Sequence, residues 1–494
     1  MKFLKIFKTK KSLILIVILS FSFIVFLQTE SLRKVYRFSK NLSLEYLPLY
    51  SQNYLTSSIK DAQRNSSRET FENLNEHLNP EKLNLSLKKI SDEILQSSDG
   101  LDYDLIKYRA NFLNLVKRAP ETGPSYIDFY KDQILIVQEN GLFFSAPRLS
   151  VKSGEMEIPV IQIKTNITNF TNYVDFFNPG QFGIKDILID NNFLYVSYIR
   201  ELQPNCFNTS ILRAEINEKI NFKIFYSPKN CINRNKSDEF NAHQSGGRIV
   251  KFKNNKLLFS LGEYRNRGNA QKLDNDFGKI ISIDIDSGNS EIISIGHRNP
   301  QGLYFSPQYE DIWSSEHGPT GGDEVNLNPL LGKEILNFGW PNASYGAHYG
   351  AGYYDVTEKG YTLVENREKK QYKHSPLHKS HIQYGYEEPL IYFNPSVGVS
   401  QIIEVKNTFS NAKNTHRTFM LGTMGYSVSK FIPSLSMLSI SVDDNYKLLS
   451  QDQIIMNERM RDLIFAETDN TIFFSGDSNG TIGLIRPTKN NIQR

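Results

Sequence analysis

Residues 248–262 read RIVKFKNNKLLFSLG. Two short apolar runs flank a polar turn, Lys253 to Lys256, that carries two asparagines. Alternation of this kind around a tight Asn-containing turn reads as an antiparallel hairpin. The unit recurs as IDFYKDQILIV from Ile127, DILIDNNFLYVSY from Asp186, GLYFSPQYEDIWSSE from Gly302, QIIEVKNTFSNAKNTHRTFMLGT from Gln401 and RDLIFAETDNTIFFSGD from Arg461. Most copies start roughly sixty residues after the one before, with a longer interval between the fourth and fifth. Six such units predict an all-β chain folded as a six-bladed β-propeller, which leaves only short, protected strand edges. A pair of β-sandwiches accounts less well for the regular period. In a propeller the equivalent loops gather around one axis, so residues remote in sequence meet at a cup. The long interval, about Gly332 to Pro389, is then an insertion over that cup. Three of its histidines, His374, His378 and His381, fit no tight metal-ligand spacing.

The propeller is assigned to residues 119–494. Upstream, Met1 to Lys11 carries five lysines and precedes an apolar run from Leu13 to Leu27. This pattern predicts an uncleaved signal anchor over residues 1–29, a membrane helix with its basic end in the cytoplasm. The remainder is then exported, on the periplasmic or extracellular side. Residues 30–118 are polar and charged. Within them Leu83, Leu85, Leu87, Ile90 and Ile94 are spaced as one face of an amphipathic helix, so a partly helical extension or stalk is expected. The net charge of +4 over 494 residues points away from nucleic acid and polyanionic partners. The two cysteines, Cys206 and Cys231, are either a disulfide or two separate thiols.

The densest chemistry lies between His297 and Tyr345. It holds a cation (Arg298), carboxylates (Glu316, Asp323, Glu324), the pair Gly318-Pro319 and a Gly-Trp-Pro turn from Gly339 to Pro341. Segments this polar and this rich in Gly and Pro line sites carried by a rigid scaffold. A second stretch, NAHQSGGRIVKF from Asn241, sets His243 at a strand entrance. A neutral imidazole has the right basicity to take a proton near neutral pH. In NERMRDLIF, Arg459 and Arg461 stand two apart on an expected strand, so their side chains share a face.

The motif order GHRNPQGL, SEHGP, DEVNL, FGWPNASYG, with HQSGGR before it and NERMRDLIF after it, resembles the soluble quinoprotein sugar dehydrogenases. Members of that family use pyrroloquinoline quinone (PQQ) and calcium. The resemblance covers most of residues 119–490 and implies oxidation of an aldose at its anomeric carbon, with hydride passing to the quinone. His243 takes the place of the catalytic base. The family's aspartate beside that base becomes Glu263, one methylene longer. Arg298 and calcium are implied to polarise the quinone carbonyl, the ion being held by the backbone carbonyls of Gly318 and Pro319. Asn299 and Gln301 flank the cofactor rim. Gln181, in NPGQFGIKD, matches the glutamine of the family's GQxGLL segment. Arg459 and Arg461 match an Arg-x-Arg-Asp pair suited to the quinone's carboxylates. Asp323 and Glu324 match the family's DE pair, in contact with the site or buttressing its loop.

Four positions depart from the family pattern. Ala242 replaces an acidic residue before the base, and Asn394 replaces an aromatic one. Arg267 or Gly268 stands where some members bind substrate. Met424 and Gly425 occupy the place of an expected lysine, with Lys430 several residues late. Three of these imply a substrate other than glucose or a looser aldose preference, and the fourth removes an expected cofactor contact. A membrane-tethered propeller that binds a ligand or partner without catalysis is the alternative reading, and a lactonase-like hydrolase a weaker third. No motif specifies the electron acceptor.

Overall fold

The computed structural model describes residues 85–488, apart from 115–122, 172–173, 178–180, 350–351, 358–359, 366–373, 426–432 and positions 238, 254, 331, 333 and 478. Each of the six hairpin units becomes the first two strands of a separate antiparallel sheet. The first strands are Ser125–Tyr130, Ile184–Asp190, Gly246–Phe252, Pro300–Ser306, Val399–Val405 and Met460–Ala466. Each packs against the next and the last packs against the first, which closes a ring. The chain is a six-bladed β-propeller, as the repeat predicts, and its blades are numbered one to six in that order.

Every first hairpin turns through a left-handed residue. Lys131, Asn191, Asn255, Glu310, Asn414 and Asn470 have φ of 53°, 54°, 61°, 52°, 59° and 50°. Among residues with a side chain, asparagine enters that region most readily, which is why asparagine marks so many of the tips.

Aromatic rings pack across the blade boundaries. Trp313 stacks on Phe419 at 3.9 Å between blades four and five, and Phe252 meets Phe305 at 4.8 Å between three and four. Phe129 meets Phe473 edge-on at 5.2 Å between one and six. Burying a ring of this size stabilises the fold by about 1.5–3 kcal/mol. Buried serines pin the same boundaries. Ser197, Ser260, Ser315 and Ser475, each on a second strand, donate to the carbonyls of Gly247, Pro300, Ser400 and Ser125 on the first strand of the next blade.

A buried ion cluster ties the ring further. Arg248 Nη1 donates to Asp186 Oδ1 at 2.9 Å and to Asp462 Oδ1 at 2.6 Å. Its Nε reaches Gln301 O at 2.6 Å and its Nη2 reaches Arg461 O at 2.8 Å. The second oxygens of the two aspartates accept the N–H groups of Ile249 and Ile127. One arginine thus joins blades two, three, four and six.

Blade six is completed from upstream. Its strand Thr481–Pro487 pairs with Asp102–Ala110, which pairs with Ser86–Gln96. This corrects the expected amphipathic helix over Leu85, Leu87, Ile90 and Ile94. Leu85, just before the strand, and Leu87, within it, are buried, a register shift falls between Lys89 and Ser91, and Ile90 and Ile94 face solvent. Apolar residues so few and so short in span satisfy a period of two as well as one of 3.6. Leu83 lies outside the described residues, as do residues 1–29 and the rest of 30–84. Among the described residues no helix is long and apolar enough to cross a membrane. Cys206 and Cys231 form a disulfide, which closes the two-way reading of the sequence.

Candidate active site

A cavity of about 350 Å3 opens where the blades converge. Its lining residues sit at or just before the start of a first strand, just past the end of a second, on the long insertion or, for Asp323, at the start of a third strand. First-strand starts and second-strand ends lie at one end of every blade, so the loops meet around one axis. His243, Arg298, Asn299, Gln301, Gly318, Pro319, Arg459 and Arg461 all line this cavity. Gln181 and Glu263 do not line it. A larger cleft of about 630 Å3, walled by Phe193, Arg213, Lys219 and Asp286, holds none of the residues singled out from sequence.

His243 is the middle residue of a single 3-10 turn, Ala242–Gln244. The Asn241 side chain caps that turn by accepting the His243 N–H at 2.9 Å. The ring is exposed to the cavity, whereas Ala242 is fully buried.

Glu263 was expected against the histidine. Instead it is fully buried and faces the neighbouring Gln244. With the amide nitrogen turned toward the carboxylate, Gln244 Nε2 donates to Glu263 Oε1 at 2.7 Å. The Gln244 amide oxygen then accepts from Arg298 Nη2 at 2.9 Å and from Arg265 Nε at 2.8 Å. The extra methylene relative to aspartate lets the carboxylate reach this amide. Glu263 is therefore a positioning residue: it orients Gln244, which in turn holds Arg298. Burial pushes its carboxyl up to about 7, although Arg298, Arg267 and Arg265 oppose the shift. A raised folded value means that its contribution to stability is full below the ordinary carboxylate range and is lost as pH rises toward 7. Glu263→Gln is expected to flatten the stability–pH curve between about pH 4.5 and 7, by an amount on the order of 3 kcal/mol. Urea denaturation at several pH values checks it.

Arg298 is nearly buried, at 3% exposure. Its Nη1 donates to His317 O at 2.7 Å and its Nη2 to Tyr349 OH at 2.5 Å, while Nε has no partner. Its backbone is set by Glu316, which accepts the Arg298 N–H at 2.6 Å and pairs with His297 Nδ1 at 3.0 Å. Burial raises the Glu316 carboxyl, but His297 and the surrounding donors outweigh it and hold it below the usual range. Asp323 buttresses the Gly-Pro loop. It accepts the Gly318 N–H at 3.0 Å and the N–H groups of Val397 and Gly398 at 3.0 and 2.6 Å.

A polar chain runs across the cavity floor. Asn299 Oδ1 accepts from Gly246 N and from Gln301 Nε2, and Gln301 Oε1 accepts from Arg461 Nη1 at 3.3 Å. Arg459 and Arg461 both bond Asp477 Oδ2. Burial would raise the Asp477 carboxyl, but the two arginines hold it below the usual range. The Met424 carbonyl accepts from Arg459 at the place of the expected lysine, and Lys430 lies outside the described residues. Lys185 lines the cavity from blade two and donates to Gln181 O at 2.9 Å, so Gln181 supports the wall through its backbone.

Among the described residues the lining carries five cations, Lys185, Arg265, Arg298, Arg459 and Arg461, against one carboxylate, Asp323. This donor set fits a flat polyanion. No group of three or more His, Cys, Asp or Glu side chains among the described residues is arranged to hold a metal ion. A calcium ion here would rest on backbone oxygens, which the Gly318-Pro319 wall supplies. Sequence reasoning missed Lys185, Gln244, Arg265, Tyr349 and Asp477. Only Asp477 carried a signal, in the Gly-Asp turn that ends the sixth hairpin copy.

Residues 147–486 match the family model described as Glucose / Sorbosone dehydrogenase. Aldose sugar dehydrogenase YliI of Escherichia coli K12 is 34% identical over 168 residues, which is 31% of this chain and 38% of that protein. Quinoprotein glucose dehydrogenase B of Acinetobacter calcoaceticus is 24% identical over 238 residues, 42% of this chain and 49% of that protein. The chain therefore spans less than half the length of either of these relatives. The apo crystal structure of the soluble aldose sugar dehydrogenase from Escherichia coli superposes with a TM-score of 0.54 at 20% identity, covering 81% of this chain and 99% of that one. That likeness concerns the fold.

Proposed function

The chain belongs to the glucose/sorbosone dehydrogenase family, and from that premise we propose that it is an oxidoreductase which uses PQQ and calcium to oxidise an aldose at the anomeric carbon. The observation that carries the reading is the meeting of His243, Arg298, Gly318-Pro319 and the Arg459/Arg461 pair, from blades three, four and six, on one cavity. Packing alone does not require those residues to share a wall, whereas one cofactor and substrate site does. The name of the Acinetobacter relative, a quinoprotein, supports the cofactor.

The chemistry divides among the chain's groups. Oxidation of a cyclic aldose to its lactone removes the anomeric hydroxyl proton and the hydride on the same carbon. His243 takes the proton at its ring nitrogen. The cofactor, when bound, supplies an electrophilic carbonyl carbon that accepts the hydride. Arg298, nearly buried, would offer its open Nε–H to negative charge developing at that carbonyl. Arg459 and Arg461, both bonded to Asp477, would hold carboxylates of the cofactor. Gly318 and Pro319 offer backbone oxygens to the calcium ion. The disulfide supports a place outside a reducing cytoplasm, in keeping with an exported, tethered protein.

The test is absorbance titration of the calcium-loaded protein with PQQ, followed by dye reduction with a panel of aldoses. A saturable spectrum at one equivalent and sugar-dependent reduction are expected. No quinone spectrum and no turnover on any aldose would return the argument to a non-catalytic propeller.

A further inference from the structure

The fold bends its backbone out of the ordinary regions to bring Arg265 to the cavity. Tyr264 and Arg265 are consecutive left-handed residues, with φ of 54° and 62°. Side-chain-bearing residues rarely adopt this conformation in succession, and where they do the surroundings must enforce it. Here Tyr264 is fully buried, its hydroxyl lies 2.6 Å from Thr209 Oγ1, and its N–H donates to Gln244 O at 2.9 Å. Pinned so, the chain delivers the Arg265 guanidinium to the cavity wall, 4.6 Å from the centroid of the Tyr349 ring.

Arg298 approaches the same ring at 5.8 Å. Both arginines donate to the single amide oxygen of Gln244, at 2.8 and 2.9 Å. Two cations thus converge on one neutral acceptor, with the buried Glu263 carboxyl, which both attract, on the far side of that amide. The other arginines nearby are matched: Arg459 and Arg461 share Asp477, and Arg267 holds Glu239. Among the described residues no ion pair joins Arg265 or Arg298 to a carboxylate. Like charges in a partly desolvated corner repel, and an anion brought between or beside them relieves that repulsion. In the proposed function Arg298 serves the reaction centre, which leaves Arg265, one amide away, to meet a second negative charge.

We propose that Arg265 selects a substrate carrying its own anionic group, an aldose with a carboxylate or a phosphate, seated against the Tyr349 ring. This rests on the proposed function and narrows its substrate class. The guanidinium fork pairs with either anion in the same way, and Tyr349 gives the sugar ring a flat face.

The experiment uses the full chain loaded with PQQ and calcium. Glucose, glucuronate and glucose 6-phosphate are compared in dye reduction, and their binding is measured by calorimetry. At least one charged sugar is expected to exceed glucose in kcat/KM. In Arg265→Gln the charged-to-neutral ratio falls about tenfold or more, chiefly through KM, and Arg265→Lys recovers part of it. The sugar whose advantage disappears identifies carboxylate or phosphate. A preference for glucose over both charged sugars overturns the inference. So does an Arg265→Gln effect that falls equally on all three, or one that appears in PQQ affinity instead. Binding of a charged sugar that depends on Arg265, without any turnover, rejects the proposed oxidation and keeps the anion site. Turnover on glucose with no charge preference rejects the anion site alone.

Discussion

Arg298→Ala is expected to lower kcat by about 10²–10³-fold while leaving the melting temperature within a few degrees of the parent. The side chain is nearly buried, bonded by both Nη atoms to His317 O and Tyr349 OH, and its Nε is without a partner. A buried donor left open in this polar wall can serve a group that arrives. Its removal takes away stabilisation of charge formed during the reaction and leaves ground-state packing largely as it was. Among the described residues no ion pair joins Arg298 to a carboxylate, and Arg267 and Arg265 still offset the buried Glu263 carboxyl after the change. The contact of the Arg298 side chain with blade three is the Gln244 amide oxygen, which Arg265 also bonds. Steady-state kinetics and calorimetric melting are the two measurements. A rate loss under tenfold, or a collapse in melting temperature, would mark Arg298 as structural.

Arg248→Ala is expected to have the opposite signature, a stability loss of about 3–5 kcal/mol by urea denaturation near neutral pH. Asp186 and Asp462 would be left in the ring with no counter-charge, each still tied to a backbone N–H. Burial already pushes the Asp186 carboxyl up to about 7, even with Arg248 opposing it. A raised folded value makes the ionised form the unstable one, so the stability tied to this group is full below about 3.8 and lost as pH rises through 7. The variant's deficit should therefore be larger at pH 8 than at pH 5. A deficit that is flat with pH, or under 1 kcal/mol, would count against the network as a stabilising unit. Replacing all three charges by apolar residues offers no rescue, because the Ile249 and Ile127 N–H groups would lose their acceptors.

The propeller was legible because its signal is local and repeated. Each hairpin declares itself within about fifteen residues, and asparagine marks most of the tips. The site was legible in its motif-borne parts, since Arg298, Gly318-Pro319 and the Arg459/Arg461 pair each sit in a recognisable run. What the sequence hid depends on contacts across blades. Nothing near Ser197 or Ser475 says that its hydroxyl meets the next first strand. Glu263 reads as the histidine's partner until the extra methylene is seen to reach Gln244. Arg265 lies in an unremarked loop, and only the backbone forced by the buried Tyr264 brings it inward. The strand Ser86–Gln96 was misread because its place in a sheet depends on its partner Asp102–Ala110, which itself pairs with residues nearly four hundred positions away.

That distant pairing sets an order on how the molecule comes into being. Tyr103 faces Pro487 and Arg109 faces Thr481 across one ladder. While the chain is being made, the early hairpin Ser86–Ala110 has no late strand to join and keeps an open edge. Five blades can form behind it before the circle is shut, and contacts so far apart in sequence are slow to find each other. The waiting edge is where a neighbouring chain would add itself during crowded synthesis. Loss of the last dozen or so described residues would thus be felt as aggregation of newborn chains before it was felt as a missing part of the cavity.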